Sequence, residues 1–392
     1  MLSDIAYLDW ISGRPDDAEF DLGSSDLRRA PADPGSVVPP ALAGLPDPPA
    51  DATLDGLLAD EYGVGPENVL VTAGATHANL LAAAAALDAA AAAGDRGETP
   101  RAVVEDPGYE PLVATPRGLG ATVDRFARPV AEGCPLDPDR VADALAADGA
   151  AADAALVTVT NRHNPSGRRV GRDALRAVAE VAADASGRAD APARLLVDEV
   201  YAPFGTDPGD GPFGGPTAVG LPNAVVTNSL TKFLGFGGLR IGWLVADEAF
   251  VERARAAKNH VPAVAEPSRR LARRALANAD ELAAESRERV RTNREALAEF
   301  AADRDDLRGS VEPGCSYALL AHEAADGDEV AAAAAERGAL VVPGRFFDAS
   351  EYVRVGACAR PDAVRGGLDA LGSALDDCSG AGTPDDRSGG RT

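Results

Sequence analysis

The chain has 392 residues and a net charge of −24, and this excess of acid argues against nucleic acids and anionic membranes as partners, because neutralising phosphates needs clustered Lys and Arg. Hydrophobic residues make up 45% and aromatic ones 5%, a globular balance carried mainly by Ala, Val and Leu. At roughly 100 to 200 residues per domain there is room for two or three domains and a large core.

The cysteines Cys134, Cys315, Cys358 and Cys378 are scattered, with no C-x-x-C or Cys/His spacing. Neither a disulfide framework nor a metal site is expected, and a reducing cytoplasm is the expected location. The first residues lack the basic and apolar regions of a secretion signal, and no run approaches about 18 apolar residues, so a soluble chain is expected. Lysine occurs only at Lys232 and Lys258. An acidic, lysine-poor composition fits adaptation to high salt, and it also fits a GC-rich coding bias.

In chain order, residues 1–50 are rich in Pro, Gly and Asp and read as an extended arm joining a smaller C-terminal domain. Residues 51–265 read as the large domain. Within it, short β-prone runs alternate with helix-like segments: Val69–Thr72, Ala102–Glu105, Leu156–Thr160, Leu195–Asp198, Ala224–Asn228 and Ile241–Val245. Near-continuous apolar strands separated by helices predict an α/β fold, a mostly parallel sheet sandwiched by helices. The Ala-rich run Leu81–Gly94 predicts a packed helix, since Ala is the best helix former. Residues 266–378 open with an Ala/Arg/Glu segment, Pro267 to about Asp303, whose i,i+4 charges predict one long solvated connecting helix. Strand-like Ser316–Ala321, Ala339–Val342 and Tyr352–Val355 then predict a smaller α+β domain. Residues 379–392 are Gly, Ser, Asp and Arg, the composition of a disordered tail.

The segment Thr227–Trp243 is the richest in chemistry. A β-prone run ends in small polar residues, then Lys232, a glycine-rich turn and Arg240. An apolar strand delivers such a lysine to the C-terminal edge of a parallel sheet, where open α/β folds place ligands. Glycines let the backbone pass close to a ligand, and the arginine can grip a phosphate through two donors. Read alone, the segment also fits an ordinary glycine-rich loop. Its S-x-x-K tetrad, Ser229 to Lys232, occurs in serine acylases too.

Taken with the rest of the chain, it resembles the Schiff-base motif of the class I/II aminotransferases, the fold type I enzymes that use pyridoxal 5′-phosphate (PLP). The resemblance extends in order through Val71–Ala78, Glu105–Pro111, Thr160–Gly167, Leu195–Tyr201 and Tyr352–Gly356. It implies that Lys232 carries the cofactor as a Schiff base and moves the substrate's Cα proton. Gly74, Ala75 and Thr76 would cup the phosphate with Ser229 and Arg240, although Thr76 could equally be a helix-capping residue. Tyr109 would stack on the pyridine ring, and Asn164 and Tyr201 would bond its 3′-oxygen, Asn164 also facing the substrate. Asp198 would keep the ring nitrogen protonated. Arg354 would fork onto the substrate carboxylate, with Ser25 on an arm closing over it. His163 is expected to support the pocket rather than act as a base.

The implied reaction is ping-pong transfer of an amino group between an amino acid and a 2-oxo acid, by a homodimer. The same constellation also serves lyases and decarboxylases. A PLP-binding regulator would need an N-terminal DNA-binding module, for which the acidic first 50 residues are too few. Three departures stand out: Leu45–Pro49 holds no Tyr where the family often lends one to the neighbouring subunit's phosphate; no second arginine for a dicarboxylate can be located; and Glu110 stands where the family often has Pro.

Overall fold

A computed structural model describes residues 4–27, 36–93, 99–147, 154–185, 191–205, 211–215, 217–261 and 263–381. The β-branched and apolar runs form strands: β1 (Phe20–Asp21), β2 (Val69–Thr72), β3 (Arg101–Asp106), β4 (Thr122–Ala127), β5 (Ala154–Thr160), β6 (Arg194–Asp198) and β7 (Ala224–Ser229). They continue with β8 (Gly242–Val245), β9 (Leu307–Ser310), β10 (Tyr317–His322), β11 (Ala339–Leu340), β12 (Val342–Pro343) and β13 (Tyr352–Gly356). Among the described residues, seven strands make one sheet in the order β2-β8-β7-β6-β5-β3-β4. All neighbours pair in parallel except β8, which is antiparallel to both β2 and β7.

The period of two along each strand divides the sheet's burial between its faces. Leu70, Leu156, Leu196, Val225 and Leu244 pack under the helix Ala75–Ala93, and Val71, Val157, Val197, Val226 and Val245 pack on the opposite side. A helix of alanines lets its backbone lie close to the sheet, and the packed helix expected from Leu81–Gly94 is this one.

The second sheet, β12-β13-β10-β9, is antiparallel and packs Leu320, Val353 and Val355 against Leu297, Leu368 and Leu371. Strands β4 and β9 escape the sequence reading for one reason. Both lie at sheet edges, where exposed and charged positions interrupt the apolar run.

Three expectations change. The arm is not simply extended: it holds helices Ala6–Ile11 and Arg14–Asp17, and β1 adds in parallel to β11. Leu22 joins the smaller core, whereas Leu27 and Leu42 join the larger one. The connector is two helices, Glu266–Ala277 and Ala279–Ala302. They part at Asn278, whose amide donates to the Arg274 and Pro46 carbonyls and so competes with helix bonding. The last helix runs to Ala381, past the expected start of the tail at Ser379; the remainder of that tail lies outside the described residues.

Candidate active site

Five loops leave the large sheet at one edge. Strand β2 ends before Gly74–Thr76, β3 before Tyr109, β5 before Asn164, β6 at Asp198 before Tyr201, and β7 at Ser229 before Lys232. Because β2 and β7 both pair with the antiparallel β8, they run the same way, and Arg240 enters β8 at that same edge. The result is a cavity of about 360 Å³ lined by Ala75, Thr76, Tyr109, Asn164, Asp198 and Tyr201, and by Ser229, Lys232, Arg240, Arg354 and Ser25. Of the expected site residues only Gly74 does not line it.

Asp198 sits at the floor, 4% exposed. Burial raises its carboxyl above the ordinary aspartate value, opposed by the Asn79 amide at 2.8 Å, the Val200 N–H at 3.1 Å and the charge of Lys232. Asn79 is in turn fixed by the Thr227 hydroxyl at 2.6 Å. Lys232 Nζ donates to Ser25 Oγ at 3.2 Å, and Ser25 Oγ lies 2.8 Å from the Tyr201 hydroxyl. Burial works against the ammonium, yet Tyr201 and Asp26 outweigh it and hold the amine above the usual lysine value. The Tyr201 phenol is raised by burial in spite of Lys232.

At the other flank Gly74 takes φ +81, and a Cβ there would stand 2.8 Å from Arg240 Nη2. A Cβ on Gly242 would meet the Gly74 backbone at 2.4 Å. Thr76 is the second residue of its helix, not its cap. Arg240, exposed and in the left-handed region at φ 51, brings its guanidinium to the Ala73 carbonyl at 3.4 Å. A positive φ in a non-glycine residue costs about 1–3 kcal/mol. A helix N-terminus, a turn with no room for side chains and a guanidinium form an anion cradle. A phosphate in that cradle and a ring nitrogen against Asp198 suit PLP.

The far wall is built around Arg354 on β13, 1% exposed. Its Nη1 donates to Asn164 Oδ1 at 3.0 Å, leaving the Asn164 amide free to donate. Its Nη2 donates to the Tyr7 hydroxyl at 3.2 Å and the Gly23 carbonyl at 3.1 Å, and Phe347 lies against its face at 4.8 Å. The fork is held flat and charged at the cavity's edge.

Several contributors carry no local signal. Tyr7, Leu8 and Asn79 line the cavity from outside every motif, and Thr160 and Thr231 line it from within motifs that give them no role. Beneath the wall, Glu105 is buried and accepts from Thr160 N at 2.8 Å, Thr160 Oγ1 at 2.5 Å and Arg128 Nη1 at 2.5 Å. Thr160 Oγ1 in turn accepts from Asn164 N at 2.9 Å. His163 bridges the Pro107 carbonyl at 2.9 Å and the Ser166 hydroxyl at 2.7 Å. Burial, with Arg128 nearby, holds it neutral, well below the ordinary imidazole value. It does not line the cavity, and it ties the Asn164 loop to the Tyr109 turn.

A mostly parallel sheet with its site at the strand ends, plus a smaller antiparallel sheet, is the fold type I arrangement of PLP-dependent enzymes. The aminotransferase class I and II family matches residues 8–370, and the chain belongs to that family and is a PLP-dependent enzyme. A histidinol-phosphate aminotransferase from Halorubrum lacusprofundi is 29% identical over 302 residues, 77% of this chain and 73% of its own. A capreomycidine synthase from Streptomyces vinaceus is 26% identical over 373 residues, 91% of this chain and 90% of its own. In structure, a PLP-dependent aminotransferase from Streptococcus suis superposes with TM-score 0.79 at 21% identity, covering 96% of this chain and 98% of that one.

Proposed function

We propose that this enzyme transfers an amino group between an amino acid and a 2-oxo acid, with Lys232 as the residue that binds PLP and moves the proton. The carrying observation is that one cavity is lined together by Lys232, the Asp198 floor, the Ala75, Thr76 and Arg240 cradle and the Arg354 fork. PLP when bound supplies an electron sink for charge left at the substrate's Cα.

The chain's own residues then divide the work. Asp198, kept in place by Asn79, holds the ring nitrogen's proton, and Asn164 and Tyr201 donate toward the 3′-oxygen. Ala75, Thr76, Ser229 and Arg240 hold the phosphate. Tyr109 covers a ring face. Arg354 grips the substrate carboxylate and orients the Cα–H bond toward Lys232, whose amine takes that proton, a transfer worth roughly 10²- to 10⁴-fold. Ser25, in contact with both Lys232 and Tyr201, steers the amine. We extend the reading to a cytoplasmic homodimer, supported by the family and by four unpaired thiols. No helix among the described residues is long and apolar enough to cross a membrane.

A second reading, lyase or decarboxylase chemistry on the same residues, is favoured by a relative named a threonine-phosphate decarboxylase, 38% identical over 130 residues. Purified protein, kept in high salt, should show a visible cofactor band, and single amino acids with a 2-oxo acid should yield a new amino acid. The band should vanish in Lys232→Ala; its persistence there would sink the assignment. Release of ammonia or carbon dioxide without amino transfer would select the second reading.

A further inference from the structure

The helix Ala6–Ile11 roofs the cavity, with Tyr7 and Leu8 on its lining, and no side chain of its own caps it. The first N–H groups of a helix have no partner within it. Here they are met from another element, more than a hundred residues away. Glu110, the first residue of the helix Glu110–Gly118, accepts from Ala6 N at 3.0 Å and from Tyr7 N at 2.7 Å, one carboxylate oxygen for each.

We infer that Glu110 is a latch that seats this roof and thereby positions Tyr7 at the substrate end of the cavity. Its neighbour Tyr109 takes the edge of the Tyr7 ring at 5.7 Å and 76°, so the residue expected on the cofactor ring and the latch lie side by side in sequence. The seated Tyr7 accepts from Arg354, which leaves the phenol proton to donate to an anionic group gripped by that arginine. Phe346 and Phe347 hold the same ring at 5.8 and 5.9 Å, and Trp10 packs on Phe346 at 5.1 Å. Glu110 touches no reacting atom and is a positioning residue, while Tyr7 extends the anion-binding pole to two donors from separate elements. The substrate half of this inference rests on the proposed role of Arg354; the latch does not.

The test uses the holoenzyme with Glu110→Ala, Glu110→Pro and Glu110→Gln. Proline is tolerated at the first position of a helix, so Glu110→Pro removes the carboxylate while leaving the helix it begins intact. Trp10 is partly exposed and the only other tryptophan, Trp243, is 0% exposed, so acrylamide quenching of fluorescence reports the roof without reference to activity. In the Ala and Pro variants the quenching constant should rise about twofold and the amino-acid KM about tenfold, with kcat within about twofold and the cofactor band intact, the effect of losing a charge-assisted hydrogen bond. The Gln variant keeps one acceptor oxygen and should fall between. Unchanged quenching in the Ala and Pro variants would overturn the latch. Raised quenching with an unchanged KM would keep the latch and overturn the substrate role of Tyr7. Loss of the cofactor band would overturn the positioning role and leave Glu110 as a general support.

Discussion

The C-terminal edge of the large sheet and the N-terminal segment 6–27 both line the cavity, yet they hold their side chains by different means. At the sheet edge, each residue follows directly on a buried strand and is braced by buried polar groups: Asp198 by Asn79, Asn164 by Thr160 and Glu105, Glu105 by Arg128. The N-terminal segment follows no buried strand and is held from other elements, with Leu22 and Leu27 entering the two cores and Arg354 donating to the Tyr7 hydroxyl and the Gly23 carbonyl. It is pinned by Glu110, by β1 on β11, by the Leu27 N–H on the Lys232 carbonyl at 2.8 Å and by Gly356 on the Leu22 carbonyl at 2.6 Å. The difference predicts that the cofactor side is coupled to global stability more tightly than the roof helix Ala6–Ile11, whose first N–H groups are met by Glu110.

The sharpest way to break this contrast is Arg128→Ala. It leaves the Glu105 carboxylate buried without its counter-charge, and breaking a fully buried pair costs about 3–5 kcal/mol. Denaturant unfolding should show that loss; an unchanged midpoint would mean that the edge is not braced as described.

Next comes Glu199, buried behind Asp198 and bonded to Thr217 at 2.6 Å and the Ala218 N–H at 2.8 Å, whose carboxyl burial pushes up to about 7 from 4.5. A folded-state value above the unfolded one means the folded protein binds the extra proton. Stability should therefore fall as pH rises from about 4.5 to about 7 and level off above, by about 3 kcal/mol in all for this group. Glu199→Gln should remove that slope; identical stability–pH curves for the two proteins would refute it.

On the substrate side, Arg354→Lys should raise the amino-acid KM by roughly 10- to 100-fold, because an ammonium cannot keep the fork to Asn164 and Tyr7 while gripping a carboxylate. Its thermal midpoint should move less than that of Arg128→Ala, and the reverse order would erase the distinction between the two regions. The smallest effect is expected for Asn79→Ala, which withdraws one hydrogen bond from Asp198. About 1–2 kcal/mol less support for the carboxylate should lower kcat roughly tenfold and shift the cofactor's visible band, readable in a pH titration of the spectrum.

Most strands of the large sheet and the motif residues were legible because each motif is local. A buried β-run followed within five residues by Tyr109, Asn164, Tyr201 or Lys232 carries both its position and its chemistry in a short window. Strands β4 and β9 were not legible, since edge strands lose the continuous apolar pattern. Nor was the break at Asn278, since its partner Pro46 is more than two hundred residues away.

Sequence by itself determined the fold class and which lysine stands at the sheet edge, because strand propensity and loop chemistry act over neighbours in the chain, while the cofactor was implied by the resemblance to a family. Tertiary structure alone decided that Tyr7 meets Arg354, that Ser25 lies between Lys232 and Tyr201, that Asn79 supports Asp198 and that Glu110 caps a helix it does not belong to. Those contacts join segments separated by 103 to 347 residues. Nothing in one window of the chain encodes such distances; they exist only once both cores have packed and brought the arm across the sheet's edge.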